Sequence, residues 1–196
     1  MTTPIQILNK TCQILEGIGA EYWLCNGTLL GMIREQRLIP WDNDLDIAIF
    51  REGMREKIVE ELISEGYILI DDGHGSAYAT FMVKDQKVDI NFFELHHETL
   101  QSLWKVNRLS GVPGLLTRLI ARLGLKIPRL KFLWELEGYS VPSEAIFPVS
   151  KLMVKGTQYR VPKDSERVLE HTYGVGWKTP KRDYNWRVEG MNNAKG

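Results

Sequence analysis

The chain is poor in cysteine, in net charge and in long apolar runs, and each shortage excludes a class of protein. Of its 196 residues only Cys12 and Cys25 are cysteines. They form no Cys-x-x-Cys pair, so neither a disulfide framework nor a structural zinc site is indicated, and a reducing compartment suits the chain. The 25 Lys and Arg balance the 25 Asp and Glu to a formal net charge of zero, which argues against a globally basic nucleic-acid binder. No apolar stretch reaches the roughly 18 to 20 residues needed to span a bilayer. The opening MTTPIQILNK lacks the features of a secretory signal, so we expect a cytoplasmic protein. Internal repeats, low-complexity tracts and an interdomain linker are missing as well, and the length suits a single domain over 1–196. His74, His96, His97 and His171 show no metal-ligand spacing beyond one adjacent pair.

What the chain does have is concentrated between Tyr22 and Phe50, YWLCNGTLLGMIREQRLIPWDNDLDIAIF. This reads as a strand, a glycine turn, a short helix, a proline-tryptophan turn and a second strand. Asp42, Asp44 and Asp46 alternate into that second strand. Side chains on a strand alternate faces, so Asp44 and Asp46 share one side while Leu45, Ile47 and Ile49 turn to the other, toward a core. Like charges side by side repel and call for a cation. Mg²⁺ (or Mn²⁺), which prefers carboxylate oxygens and bridges to phosphates, is the simplest candidate.

Around this stretch the pattern is mixed. Thr3-Pro4 opens a helix carrying Ile5, Leu8, Cys12 and Leu15, and Met54, Ile58 and Leu62 mark another, closed by Gly66. Tyr67–Ile70 reads as a strand. Ala77–Lys84 and Lys87–Glu94 read as a hairpin around Asp85-Gln86, with Asp89 mid-strand among apolar residues, an unusual place for a carboxylate. From Val112 to Leu136 the pattern is helical. A second hairpin spans Leu152–Val161, and a last helix runs from Pro162-Lys163-Asp164 to Tyr173-Gly174. The fold class is α+β, a mixed central sheet flanked by helices with a small C-terminal helical and hairpin extension.

An EF-hand reading of Asp42-Asn43-Asp44-Leu45-Asp46 fails, because Ile47 and Gly53 stand where that loop needs glycine and a carboxylate. Turn capping with a solvated pair explains Asp42 but not Asp46, inside an apolar strand. Gly27-Thr28 offers free backbone N–H groups at a helix start, which suit phosphate. A glycine turn, Asp-x-Asp on a strand and a third Asp on a later strand form the pattern of the nucleotidyltransferase fold. Asp44 and Asp46 are therefore assigned as metal ligands. Asp89 is the third carboxylate, a ligand or the general base, and Asp42 stands behind them. Gly27 and Thr28 would hold donor phosphate, and Arg34 either neutralises it or pairs with an acid. Tyr173 and Trp177 either line a pocket or plug a helix end. Seven Lys or Arg and no acid between Thr99 and Trp134 suit either a solvated helix face or peripheral membrane contact through 113–134.

Tyr22–Gly31, Arg34 and Ile39–Ile47 together resemble the LicD family, which includes bacterial phosphocholine transferases and is related to fukutin-type ribitol-phosphate transferases. Phe147-Pro148, Gly156, Val161–Asp164, Tyr173-Gly174, Trp177 and Pro180 are similar to that family's C-terminal segment, so the resemblance covers roughly 5–182, with a catalytic core near 5–95 and the C-terminal segment near 145–182. It implies transfer of a phospho-alcohol from a CDP-linked donor to a hydroxyl of a glycan or lipid-linked sugar. The same fold also admits a nucleotidyltransferase releasing pyrophosphate. A catalytically silent binding module is the third reading.

Overall fold

A computed structural model describes residues 2–50, 53–73, 77–107, 134–184 and 193–195. Helix α1 (Pro4–Gly17) starts where expected, with the Thr3 N–H donating to Gln6 Oε1 at 2.8 Å. It buries Ile7, Leu8, Thr11, Cys12 and Leu15, the stripe its 3.6-residue period places on one side. Strand β1 (Tyr22–Leu24) passes through Cys25 directly into α2 (Asn26–Glu35). The chain then turns at Pro40-Trp41 into β2 (Asp44–Phe50).

Helix α3 (Arg55–Ser64) and strand β3 (Ile68–Asp71) follow, then the hairpin of β4 (Tyr78–Val83) and β5 (Gln86–His96). The hairpin turns at Lys84-Asp85, with Lys84 at φ 53°. β2 pairs parallel with β5, β1 lies antiparallel on β2, β4 antiparallel on β5, and β3 antiparallel on β4. The far end of β5, Glu94 to His96, carries β6 (Thr99–Asn107), which pairs along its length with β7 (Trp134–Pro142). β10 (Asn193–Lys195) pairs with β7. A short helix α4 (Ser143–Ile146), the hairpin β8 (Ser150–Val154) and β9 (Thr157–Val161), and helix α5 (Ser165–Tyr173) complete the described elements.

Covered on both faces, β2 buries Leu45, Ile47 and Ile49 and also Asp46 and Ala48, as a parallel-paired central strand must. Trp23 packs its ring against Phe93 and Phe147, each at 5.7 Å between centroids. The α+β expectation is met, and both hairpins and the last helix fall where the periodicity put them. One expectation needs correcting. The helix drawn from Val112 to Leu136 cannot extend to its end, because Trp134–Leu136 belong to β7. Trp-Glu-Leu-Glu is a period-two pattern, and reading it as the tail of the preceding leucine-rich run hid that. Residues 112–133, including most of the basic stretch, lie outside the described residues. Among the described residues no helix is long and apolar enough to cross a membrane.

Candidate active site

Register decides the site. In the parallel pairing of β2 with β5, Asp46 stands opposite Asp89 and Asp44 opposite Lys87, so the acids of two strands distant in sequence share one face. β1 stops at Leu24, paired with Ile47 and one residue short of Asp46, whose carbonyl accepts from the Cys25 N–H at 3.3 Å. Helix α2 takes over: Thr28 Oγ1 accepts from the Asp46 N–H at 2.8 Å, and Asn26 Nδ2 donates to Asp46 Oδ1 at 3.3 Å. Asn26 reaches there from φ 44°, a left-handed conformation that asparagine tolerates better than most residues.

Gly27 has a steric reason to be glycine. A Cβ built there would lie 2.1 Å from Asp42 Oδ2, so the absent side chain is what lets Asp42 approach the start of α2. The four carboxylates crowd one another. Burial pushes Asp46 well above the usual carboxylate range, and the charges of Asp44, Asp89 and Asp42 push it the same way against the Asn26 hydrogen bond. Asp42 is raised to about 7, by burial first and then by its hydrogen bond with Asp44.

Lys87 lies at the centre of this charge, and nothing in the sequence reading singled it out. Its Nζ is 2.6 Å from Asp89 Oδ2 and 3.4 Å from Asp44 Oδ2. Burial works to lower its pKa, but the two carboxylates outweigh that and raise it. Lys87 sits two residues before Asp89 on the same face of β5, so a Lys-x-Asp alternation was the available signal. Asp89 Oδ1 also accepts from Thr80 Oγ1 at 2.6 Å, so both of its oxygens are engaged.

Among the described residues no group of three or more His, Cys, Asp or Glu is drawn together as a ready metal cage; the cation these acids hold is Lys87. Their chemistry still fits a hard divalent ion. Hard cations take oxygen ligands, and Asp42, Asp44, Asp46 and Asp89 line one cleft with Lys87 as the ammonium paired to Asp44 and Asp89.

The acids open into a cleft of about 850 Å³. Gly27, Arg34, Asp42, Asp44, Asp46, Asp89, Tyr173 and Trp177 all line it, as do Lys87, Tyr139 and Tyr184. Two of the anticipated residues are engaged by other partners. The buried Thr28 lies outside the cleft and bonds the Asp46 amide. Arg34 is paired with Glu35 at 2.7 Å and donates through Nη1 to the Trp177 carbonyl at 3.3 Å. Of its two alternatives the structure shows the acid pair. Tyr173 packs on Tyr184 with ring centroids 4.9 Å apart, and the Arg182 guanidinium lies over the Trp41 ring at 5.0 Å, so aromatic rings line the cleft together with the acids.

A mixed sheet with two acid-bearing parallel strands and a glycine-started helix beside them is the architecture of the nucleotidyltransferase fold. The lincomycin-bound lincosamide antibiotic adenylyltransferase LnuA superimposes with a TM-score of 0.52 at 13% identity, covering 87% of each chain. ANT(2'')-Ia in complex with adenylyl-2''-tobramycin gives 0.54 at 12%, covering 95% of this chain and 84% of that one. Within that fold the chain belongs to the LicD/FKTN/FKRP family: the family's model, described as a nucleotidyltransferase domain, matches residues 19–164. Ribitol-5-phosphate transferase FKTN of Mus musculus is 26% identical over 194 residues, 95% of this chain and 36% of that protein. Ribitol 5-phosphate transferase FKRP of Homo sapiens is 26% identical over 167 residues, 83% of this chain and 29% of that protein. The chain thus spans about a third of the length of the curated relatives it matches.

Proposed function

We propose that this chain is a divalent-metal-dependent transferase. It moves a phospho-alcohol, ribitol phosphate or phosphocholine in kind, from a CDP-linked donor to a hydroxyl of a glycan or lipid-linked sugar. The observation that carries the reading is the in-register placement of Asp46 against Asp89, with Asp44 and Asp42 on the same cleft. The relatives named as ribitol-phosphate transferases supply the group transferred.

Asp44, Asp46 and Asp89 would hold Mg²⁺ or Mn²⁺, which when bound neutralises the donor diphosphate and stabilises the departing nucleotide. The chain's own residues do the rest. The aromatic residues Tyr173, Tyr184 and Trp41 position the donor, and Arg34 anchors the Trp177 segment beside them through its carbonyl. The acceptor oxygen forms a bond to the phosphorus bearing the alcohol, while the bond from that phosphorus to CMP breaks. CMP leaves with the electron pair, and the hydroxyl proton passes to a carboxylate oxygen of Asp42. Asp89 is the poorer base, because Thr80 and Lys87 occupy both its oxygens.

The test is a donor panel of CDP-ribitol, CDP-choline and CDP-glycerol, with CTP alongside and EDTA as control. CMP release that EDTA abolishes supports the proposal. Pyrophosphate from CTP would instead identify nucleotidyl transfer, and nucleotide binding without turnover a silent module.

A further inference from the structure

A second cavity, of about 500 Å³, meets the acids at the start of β2. Gly27, Asp42 and Asp44 line both spaces, but their neighbours divide: Leu45 lines the smaller one and Asp46 the larger. Strand alternation requires this, since adjacent residues point to opposite faces. The smaller cavity is therefore a separate space reaching the same carboxylates, walled by Ile5, Leu38, Val154 and Tyr159. Its walls are tied together, because the Tyr159 hydroxyl donates to Asn9 Oδ1 at 2.6 Å and so joins β9 to α1.

The lining says what fits. Its volume lies within the range of roughly 300 to 1,000 Å³ typical of small-molecule sites. Most of the exposed wall is apolar. Among its polar members, Arg37 is ion-paired to Glu35 at 2.9 Å and Gln86 Nε2 donates to the Asn43 carbonyl at 2.8 Å, while Lys155 is exposed to solvent. At the inner end stand two carboxylates, which repel an anion and can accept from a hydroxyl.

We propose that this cavity is a binding site for a neutral amphipathic alcohol, its apolar body against Ile5, Leu38 and Val154 and its hydroxyl at Asp42 and Asp44. Its role as the acceptor side of the reaction rests on the transferase reading above. In that role the alcohol oxygen and the donor phosphorus come to one shared wall from two separate spaces, and the polar 850 Å³ cleft is left to the nucleotide-linked donor.

Binding is tested first without turnover, with n-octyl β-D-glucopyranoside below its micelle-forming concentration titrated into isotope-labelled full chain. Saturable shifts centred on Ile5, Leu38, Leu45, Val154 and Thr157 are expected. No saturable shift, or shifts centred on Tyr139 and Tyr173, would overturn the site. Filling the cavity from two elements, by Ile5→Trp and separately Thr157→Trp, should raise the acceptor KM at least about tenfold. The donor KM and the slow hydrolysis of donor by water should stay within about twofold. Ile63→Trp, at an exposed position on α3 outside both cavities, should behave as wild type, and a melt of each variant confirms that it is folded. If wild type transfers nothing while the probe still maps here, the transferase reading fails and the site stands. If transfer proceeds and both filled variants keep the wild-type acceptor KM, the site is wrong and the transferase stands.

Discussion

Asp46 and Asp89 face each other across the one parallel strand pairing among the described residues, yet their surroundings are opposite. Asp46 is buried with an amide as its side-chain partner, whereas Asp89 is held by a hydroxyl and an ammonium. Neutralising each should therefore abolish turnover, by about 10³-fold or more, but move stability in opposite directions. Asp46→Asn should raise the melting temperature of metal-free protein by relieving buried like-charge repulsion, and Asp89→Asn should lower it by freeing Lys87. Undiminished turnover in Asp46→Asn would refute the assignment.

Gly27 and Asp42 should be coupled. Gly27→Ala puts a methyl group 2.1 Å from Asp42 Oδ2, an overpacking expected to cost about 1–3 kcal/mol. In an Asp42→Ala background the obstruction is gone, and alanine should be favoured over glycine inside α2 by up to about 1 kcal/mol. A double-mutant cycle measured by denaturant unfolding reads this change of sign directly.

The pH dependence follows from Asp42 and Asp46. Their folded pKa values lie above the unfolded ones, from 3.8 to about 7 for Asp42 and upward for Asp46. The folded state thus binds the extra proton, and the stability this confers is complete below about pH 4 and lost as pH rises through 7. Metal-free protein should melt at progressively lower temperature from about pH 5 to 7.5. Millimolar Mg²⁺ should flatten that slope. A flat profile in the metal-free protein would show that these acids are solvated and ionised throughout.

Lys87 should compete with the divalent ion for Asp44 and Asp89. Lys87→Met removes the competitor and is expected to tighten Mn²⁺ binding by about 3- to 10-fold, a gain on the order of 1 kcal/mol. The metal-free melting temperature should drop, since the carboxylates lose their counter-charge. Calorimetric titration with Mn²⁺ gives the answer, and unchanged or weaker binding would mean that the lysine leaves the acids by another route.

The acid face and the hairpins were legible because they are written in local periods. Asp44-Leu45-Asp46 alternates, Val88-Asp89-Ile90 alternates, and proline and glycine mark the turns. Family resemblance was legible for the same reason, its densest motif being one continuous run. The missed features depend on partners brought in from elsewhere. Nothing around Thr28 says that its hydroxyl will extend the ladder to the Asp46 amide, since that follows from β1 ending three residues after Ala20-Glu21. Arg34 reads equally as a phosphate ligand or as half of an acid pair, and only the fold shows that Glu35, its neighbour in sequence, is the acid it meets. Lys87 was visible as a strand residue but gains meaning only from the register of β5 on β2. The β6–β7 pair is masked in the sequence by the leucine-rich stretch before Trp134, whose helical spacing runs directly into the strand start.

The aromatic side of the cleft has one more implication. Tyr173, Trp177 and Tyr184 come after residue 164, where the match to the family's model ends, whereas every acid falls inside it. Arg34, anchored in α2, grips this later segment through a backbone carbonyl, a contact indifferent to which side chains the segment carries. One side-chain-to-backbone contact thus ties together the two lengths of chain that build the cleft. Loosening it would part the later aromatic residues from the carboxylates without disturbing either set.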